Sequence, residues 1–346
     1  MEQPRQPEAA SRPFAPVSAD IARRVSVGIA GWSYPDWDGY VYPGGTRDKL
    51  RYVAGYVDMV EINTTFYRPP DRATTASWDR RTRDLPDFFF TAKLHQDITH
   101  HGRLEPALVA AIREGLAPLT EAGRLRHLLA QFRWDFCDSA GNRRHLEAVR
   151  RQFGNMAVLT LELRNKSWES ESAQTFLSNL GVTVANLDYP TASNSFSMRL
   201  CTVGQDAYFR LHGRNAHAWF DRDAGRDETY NYCYEPGELD GIVDRSVELA
   251  KMTRSLTLVA NNHFQGKEML NALEIKSRLI GGKVFVPPDL AARYPRIRPI
   301  ARPPPNALRQ PQLPLGEACR AVADGSQQVC ELLVRRAVRR TGIRPP

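Results

Sequence analysis

The sequence predicts an α/β fold of the TIM type, a closed (β/α)8 barrel, and three observations lead there. Strand-like runs begin near Val25, Asp58, Phe88, Arg126, Ala157, Val182, Ala207 and Leu256, with helix-compatible segments between them. Eight such alternations over about 250 residues match the period of this barrel. From the second strand onward, each run ends in a hydrogen-bonding or ionisable residue, which chance would scatter. A doubly wound open sheet is the runner-up. It requires a glycine-rich phosphate loop after the first strand, and Gly28-Ile29-Ala30-Gly31-Trp32 places Trp and Tyr where small residues belong.

Four segments follow from composition. Residues 1–24 hold Pro4, Pro7, Pro13 and Pro16 and lack the apolar run of a signal peptide, so they read as a disordered leader. Residues 25–282 form the barrel. Residues 283–315 read as a proline-rich linker, with nine prolines between Pro287 and Pro314. Residues 316–346 read as one amphipathic helix whose end is made basic by Arg335, Arg336, Arg339 and Arg340.

The net charge of +8 is unevenly placed. Residues 283–346 carry 12 basic and 4 acidic side chains, the whole surplus, and the rest of the chain holds 35 of each. The body is therefore not a uniformly basic nucleic-acid binder. The basic tail is read first as a solvated helix end and second as a contact for nucleic acid or an acidic partner. Five scattered cysteines without a C-x-x-C pair suit a reduced, cytoplasmic setting. No stretch reaches the roughly 20 apolar residues of a membrane span.

Side chains alternate across a strand, so each strand in turn nominates residues for the open end of the barrel. The first ends in Trp32 and Tyr34; the second contributes Glu61 and Asn63, with Tyr67 beyond. The third places Lys93 before His95 and Asp97-Ile98-Thr99-His100, and the fourth contributes Gln131. The fifth, Val158-Leu159-Thr160-Leu161-Glu162-Leu163-Arg164, puts Glu162 and Arg164 opposite its leucines, with Trp168 close behind. Asn186 and Asp188 come from the sixth, Arg210, His212 and Arg214 from the seventh, and Asn261, Asn262 and His263 from the eighth.

Each has a structural alternative. Glu61 is as well explained by an ion pair with Lys93 or Arg210 as by catalysis, and Lys93 by its role as a counter-ion to Glu61 or Glu162. Arg164 and Arg210 suit a phosphate or carboxylate clamp. His212 and His263 are expected to titrate near neutrality. Metal ligation by His95, His100 and His101 is the minority reading, since they lack H-E-x-x-H spacing. The aromatic residues are either core or a stacking floor for a sugar or base.

The segments Gly31-Trp32-Ser33-Tyr34-Pro35-Asp36-Trp37, Val60-Glu61-Ile62-Asn63-Thr64-Thr65-Phe66-Tyr67, Asp97-Ile98-Thr99-His100, Glu162-Leu163-Arg164 with Ser167-Trp168, Arg210-Leu211-His212-Gly213-Arg214, and Asn261-Asn262-His263 with Gly266 and Asn271-Ala272 occur in a fixed order from Val25 to Ile280. Together they resemble the signature of the YecE-like family, domain of unknown function 72. The resemblance implies a TIM-type barrel akin in fold to the xylose-isomerase and AP-endonuclease superfamily, and implies no established reaction. Thr64 in place of Ser, Arg133-Trp134 in place of a proline-rich turn, and Ala260 in place of Phe depart from the family pattern.

Three functions fit these residues. The first is an enzyme acting by general acid/base chemistry on an anionic sugar- or nucleotide-like molecule, phosphorylated or carboxylated. Lys93, Arg164 and Arg210 would hold the anion, Glu61 or Glu162 would be the base, and His212 or His263 the acid. The second is a metal-dependent barrel that processes or binds nucleic acid, with Glu61, Glu162, Asp188, His212 and His263 as ligands. The third is a non-catalytic ligand-binding or interaction module. No cofactor motif is present.

Overall fold

The computed structural model describes residues 17–221 and 223–302. Its centre is a closed barrel of eight parallel strands in sequential order. They are β1 (Val25–Ala30), β2 (Met59–Ile62), β3 (Phe89–Lys93), β4 (Leu125–Gln131), β5 (Val158–Glu162), β6 (Thr183–Asp188), β7 (Ala207–Leu211) and β8 (Leu256–Ala260). Each begins within about one residue of the start expected from the sequence. The ring closes where Val25 pairs with Leu256 and Ile29 with Ala260.

The helices are α1 (Ala19–Arg24), α2 (Lys49–Ala54), α3 (Arg72–Thr82), α4 (Gln96–Thr99), α5 (Pro106–Glu121) and α6 (Ala140–Phe153). They continue with α7 (Glu171–Leu180), α8 (Ala216–Phe220), α9 (Arg226–Thr229), α10 (Pro236–Met252), α11 (Lys267–Ile280) and α12 (Pro288–Arg293). Two apolar layers result. The outer core, between strands and helices, takes Ile29, Val60, Ile62, Leu128, Leu161 and Phe209. The inner core, inside the barrel, takes Met59, Phe89, Leu129, Leu187, Tyr208 and Val259. Gly28 belongs to this inside face because the Met59 side chain fills the space: a Cβ there would fall 2.2 Å from its sulfur.

Three expectations need correction. The leader was drawn to residue 24, yet residues 19–24 form α1, capped by Ser18, whose Oγ accepts from the Ile21 N–H at 3.4 Å; residues 1–16 lie outside the described part. The proline-rich segment from residue 283 is not an extended linker as far as residue 302. It forms a docked arm: strand β9 (Val284–Phe285), α12, a 3-10 turn over Pro295–Ile300, and β10 (Ala301–Arg302) paired parallel to β9. Buried Val284, Val286, Leu290 and Ile297 seat the arm on the outer core. Proline fixes φ without dissolving structure, and here it opens helical turns. The amphipathic tail, 316–346, lies outside the described residues.

The third correction is local. No helix joins β6 to β7; residues 189–206 cross irregularly. Arg245 of α10 takes over the work of a helix. Its guanidinium donates to the carbonyls of Leu187 at 2.8 Å, Met198 at 3.2 Å and Arg199 at 2.5 Å. Two of those carbonyls, of Met198 and Arg199, lie in the irregular crossing, which has no ladder of its own. Helix α3 joins β2 to β3, in keeping with the alternation of strand and helix.

Candidate functional site at the barrel mouth

Strand alternation brings the charged residues together at the C-terminal end of the barrel, where active sites of this architecture lie. Arg210 on β7 stands at the centre, fully buried. Its Nη2 donates to Oε1 of Glu61 at 2.6 Å, and its Nη1 donates to Oε2 of Glu162 and to Oε1 of Gln131, the latter at 3.2 Å. The Tyr208 hydroxyl donates to the second Glu61 oxygen at 2.8 Å and contacts Thr91 Oγ1 at 2.9 Å. Arg164 adds two bonds to Oε1 of Glu162, at 2.9 and 2.7 Å.

His212 closes the ring. Asn261 Nδ2 donates to its Nδ1 at 3.0 Å, which leaves the proton on Nε2, 3.5 Å from Glu162 Oε1. Glu61, Gln131, Glu162, Arg164, Arg210, His212 and Asn261 thus form one contiguous network, and all were nominated by alternation.

The electrostatics assign states to these groups. Burial alone would raise the Glu162 carboxyl, but the charges of Arg210 and Arg164 outweigh it and hold it well below the carboxylate range. Burial lowers His212 to about 3 against the opposing pull of Glu162, and lowers His263 to about 4, helped by Arg226. Neither histidine titrates near neutrality, contrary to expectation. Both are neutral there. Glu162 is a fixed anion clamped between guanidinium groups, and Glu61 has its oxygens engaged by Arg210 and Tyr208, so neither carboxylate is free to act as a base.

Lys93 differs from its neighbours. It follows Thr91 on the inside face of β3, and among the described residues no carboxylate pairs with its Nζ. Its closest aromatic contact is the Phe66 ring, 5.7 Å away. Burial lowers it to about 8, reinforced by Arg210 and Arg164 and opposed by Glu61 and Glu162. Lys93, Arg164 and Arg210 thus face two buried carboxylates, and one positive charge is left over.

An aromatic wall borders this charge. Tyr34 stacks on His263 with centroids 4.5 Å apart and planes within 9°, and its hydroxyl donates to the Ala30 carbonyl. Tyr230 lies 5.3 Å from His263 and 6.1 Å from Trp219, and Trp219 lies 5.7 Å from Tyr189. The Arg164 guanidinium sits 5.3 Å from the Trp219 ring and 6.0 Å from Tyr189. Asn63 belongs to the same edge: its Nδ2 donates to the Ala30 carbonyl at 3.0 Å, and its Oδ1 is buried without a partner.

Sequence reasoning missed four residues here. Tyr189 follows β6, Trp219 and Tyr230 lie on the β7 excursion, and Glu268 lies in the first turn of α11, where no strand period operates. Glu268 is fully buried, and its one hydrogen bond accepts from the Ala30 N–H at 3.4 Å. Burial raises its carboxyl well above the ordinary range, with Glu61 and Asp36 adding to the effect.

Other nominated residues lie elsewhere. In β6 the inward residues are Ala185 and Leu187, so Asp188 points outward, to Arg214 at 2.7 Å and to the Tyr234 hydroxyl at 2.8 Å. Arg214 leaves the interior because Gly213, at φ +86°, turns the chain. Asn262 points away from Asn261 and binds the Tyr232 carbonyl and Asn271, each at 2.8 Å. Trp168 is core: its indole donates to the Phe136 carbonyl at 2.7 Å and stacks on that ring. Trp32 meets Trp78 of α3 edge-on at 5.3 Å, and Tyr67 is an exposed rim residue.

The metal reading does not fit. His95 spends Nδ1 on the Asp97 N–H at 3.1 Å and sets Nε2 against the Tyr67 carbonyl, also at 3.1 Å. The Asp188 carboxylate faces outward and is held by Arg214 and Tyr234, and Glu61 and Glu162 are engaged by guanidinium groups. Among the described residues no group of three or more His, Cys, Asp or Glu side chains is arranged to hold an ion. None of the described helices is long and apolar enough to cross a membrane.

Fold and site together define an α/β-barrel protein with a charged interior mouth. The chain belongs to the DUF72 family, proteins of unknown function, whose profile matches residues 26–293. A DUF72 protein of Thermotoga maritima is 32% identical and superposes with a TM-score of 0.65, covering 74% of this chain and 98% of that one. One of Enterococcus faecalis is 25% identical, with a TM-score of 0.65 and coverage of 74% and 95%. The UPF0759 protein YunF of Bacillus subtilis is 26% identical over 275 residues, 73% of this chain and 95% of its own.

Proposed function

We propose that this protein is an enzyme that binds an anionic small molecule at the barrel mouth and processes it by proton transfer. One observation carries the reading: a half-buried lysine that no carboxylate pairs among the described residues, beside two arginines whose charge is offset by two glutamates. An unpaired cation that is partly withdrawn from water carries a desolvation cost, and an anionic ligand offsets it. Lys93 and the edge of Arg164 that is turned away from Glu162 supply the donors.

The acid/base assignment moves with the geometry. Lys93, near 8, exchanges protons close to physiological pH. Glu162 and Arg210 fix the field around it rather than carry the proton. The aromatic wall of Tyr34, His263, Tyr230, Trp219 and Tyr189 suits a ring or sugar face.

Native mass spectrometry of protein taken directly from cells tests this. The wild type is expected to retain a small anion that Lys93→Met loses while remaining folded. Equal occupancy of both proteins would remove Lys93 from the site.

A further inference from the structure

We infer that the ligand's anionic group is a single carboxylate rather than a phosphate, so that the substrate is a carboxylated sugar or a similar hydroxy acid. The inference rests on the anion-binding reading above and narrows it. Two independent observations carry it.

The first is charge balance. Inside the mouth Lys93, Arg164 and Arg210 face Glu61 and Glu162; Glu61, Glu162 and Arg210 are fully shielded from solvent. One negative charge neutralises this set. A phosphate dianion leaves an excess negative charge beside two fixed carboxylates, and in a poorly hydrated site that imbalance is repulsive.

The second concerns where barrels of this architecture hold phosphate. The usual seat is formed by the loops after the seventh and eighth strands and a helix N-terminus. Here that seat carries acidic groups. Asp36 Oδ2 already accepts the Gln265 N–H at 2.6 Å, directly before α11. Glu268 occupies the first turn of α11 with its carboxyl buried against the Ala30 N–H. After β7, Arg214 is held by Asp188 at 2.7 Å and Glu238 at 2.9 Å. A phosphate approaching from this side meets the Asp36 carboxylate, and the cations there, Arg214 and Lys267, already have partners in Asp188, Glu238 and Asn231. The donors left over, Lys93 Nζ and the edge of Arg164 not bonded to Glu162, lie on the β3 and β5 side.

The test compares three probes that share a pyranose ring: D-glucuronate, glucose 6-phosphate and glucose. Each is titrated into the full-length protein at pH 7 by calorimetry, for wild type and Lys93→Met. The expected result is glucuronate binding roughly tenfold or more tighter than glucose 6-phosphate, the order of magnitude of one unbalanced charge in such a site, with the preference abolished in Lys93→Met. Phosphate binding equal to or tighter than glucuronate, and dependent on Lys93, overturns the carboxylate inference and leaves the anion reading intact. If both anions bind no better than glucose and Lys93→Met changes nothing, the anion reading falls with it.

Discussion

Nη2 of Arg210 lies 2.6 Å from Oε1 of Glu61, and neither side chain is exposed to water. A buried pair of this kind is dangerous to break, because the surviving partner keeps its desolvation cost. Arg210→Met strands Glu61 and takes from Glu162 one of its two guanidinium partners. The expected loss is about 3–5 kcal/mol of unfolding free energy, read from urea denaturation. A loss below about 1 kcal/mol, within the range of ordinary surface substitutions, would mean that the arginine is not the keystone of the interior.

Lys93 behaves in the opposite sense. Its folded-state value, about 8, lies below the ordinary 10.5, so the unfolded chain binds the proton more tightly. The wild type therefore gains stability as pH rises from 8 towards 10.5, the window in which the folded form has shed its proton first. Lys93→Met should flatten that rise and stabilise the unliganded protein at pH 7 by about 1–3 kcal/mol. Denaturation midpoints of the two proteins at roughly pH 7, 8.5 and 10 provide the check.

Ligand affinity should move against stability. Binding of D-glucuronate requires the ammonium form of Lys93, so it weakens as pH rises through about 8. An affinity that stays level across that range would assign the anion to arginine alone.

At the acidic end the histidines act. His212 and His263 fall to about 3 and about 4 when folded, from an ordinary 6.5. Their contribution is intact above 6.5 and is lost as pH falls from there towards 4, because only the unfolded chain accepts the protons. The double variant His212→Asn with His263→Asn should show a shallower loss over that window, by up to about 1.4 kcal/mol per pH unit for each group. Unchanged slopes would place both imidazoles in water.

Gly213 is a backbone test. At φ +86°, a Cβ would sit 2.6 Å from the Cβ of Tyr232. Gly213→Ala is expected to cost about 1–3 kcal/mol and to disturb the neighbouring His212. Full stability in that variant would show that the turn can be rebuilt.

How far the chain could be read before folding depended on the periodicity of each segment. Glu61, Lys93, Glu162, Arg164, Arg210 and His212 were legible because each lies on a strand, or just past its end, whose partner face is plainly apolar. Strand β6 defeated the same logic. Ala185 and Leu187 are small or apolar inside, and Asn186 and Asp188 are polar outside, because Arg245 and Tyr234 wait there for them. Asn261 and Asn262 are adjacent and identical, so alternation alone could not say which faces the mouth. Tyr189, Trp219, Tyr230 and Glu268 had no period to betray them. They reach the mouth from loops and from a helix turn, through contacts that exist only once the barrel has closed.

The arm of residues 283–302 carries a consequence for anyone trimming this protein. Tyr294 donates its hydroxyl to the Gln265 carbonyl at 2.9 Å, and Gln265 is a non-glycine residue at φ 55°, two positions after His263. An outlying tyrosine therefore braces, from the far side, the hinge on which one end of the aromatic wall hangs. A shortened version ending ahead of Tyr294 would keep every barrel strand and still loosen the ligand's footing, so the useful C-terminal limit for crystallography or assay lies beyond the last strand pair, at Arg302 or later.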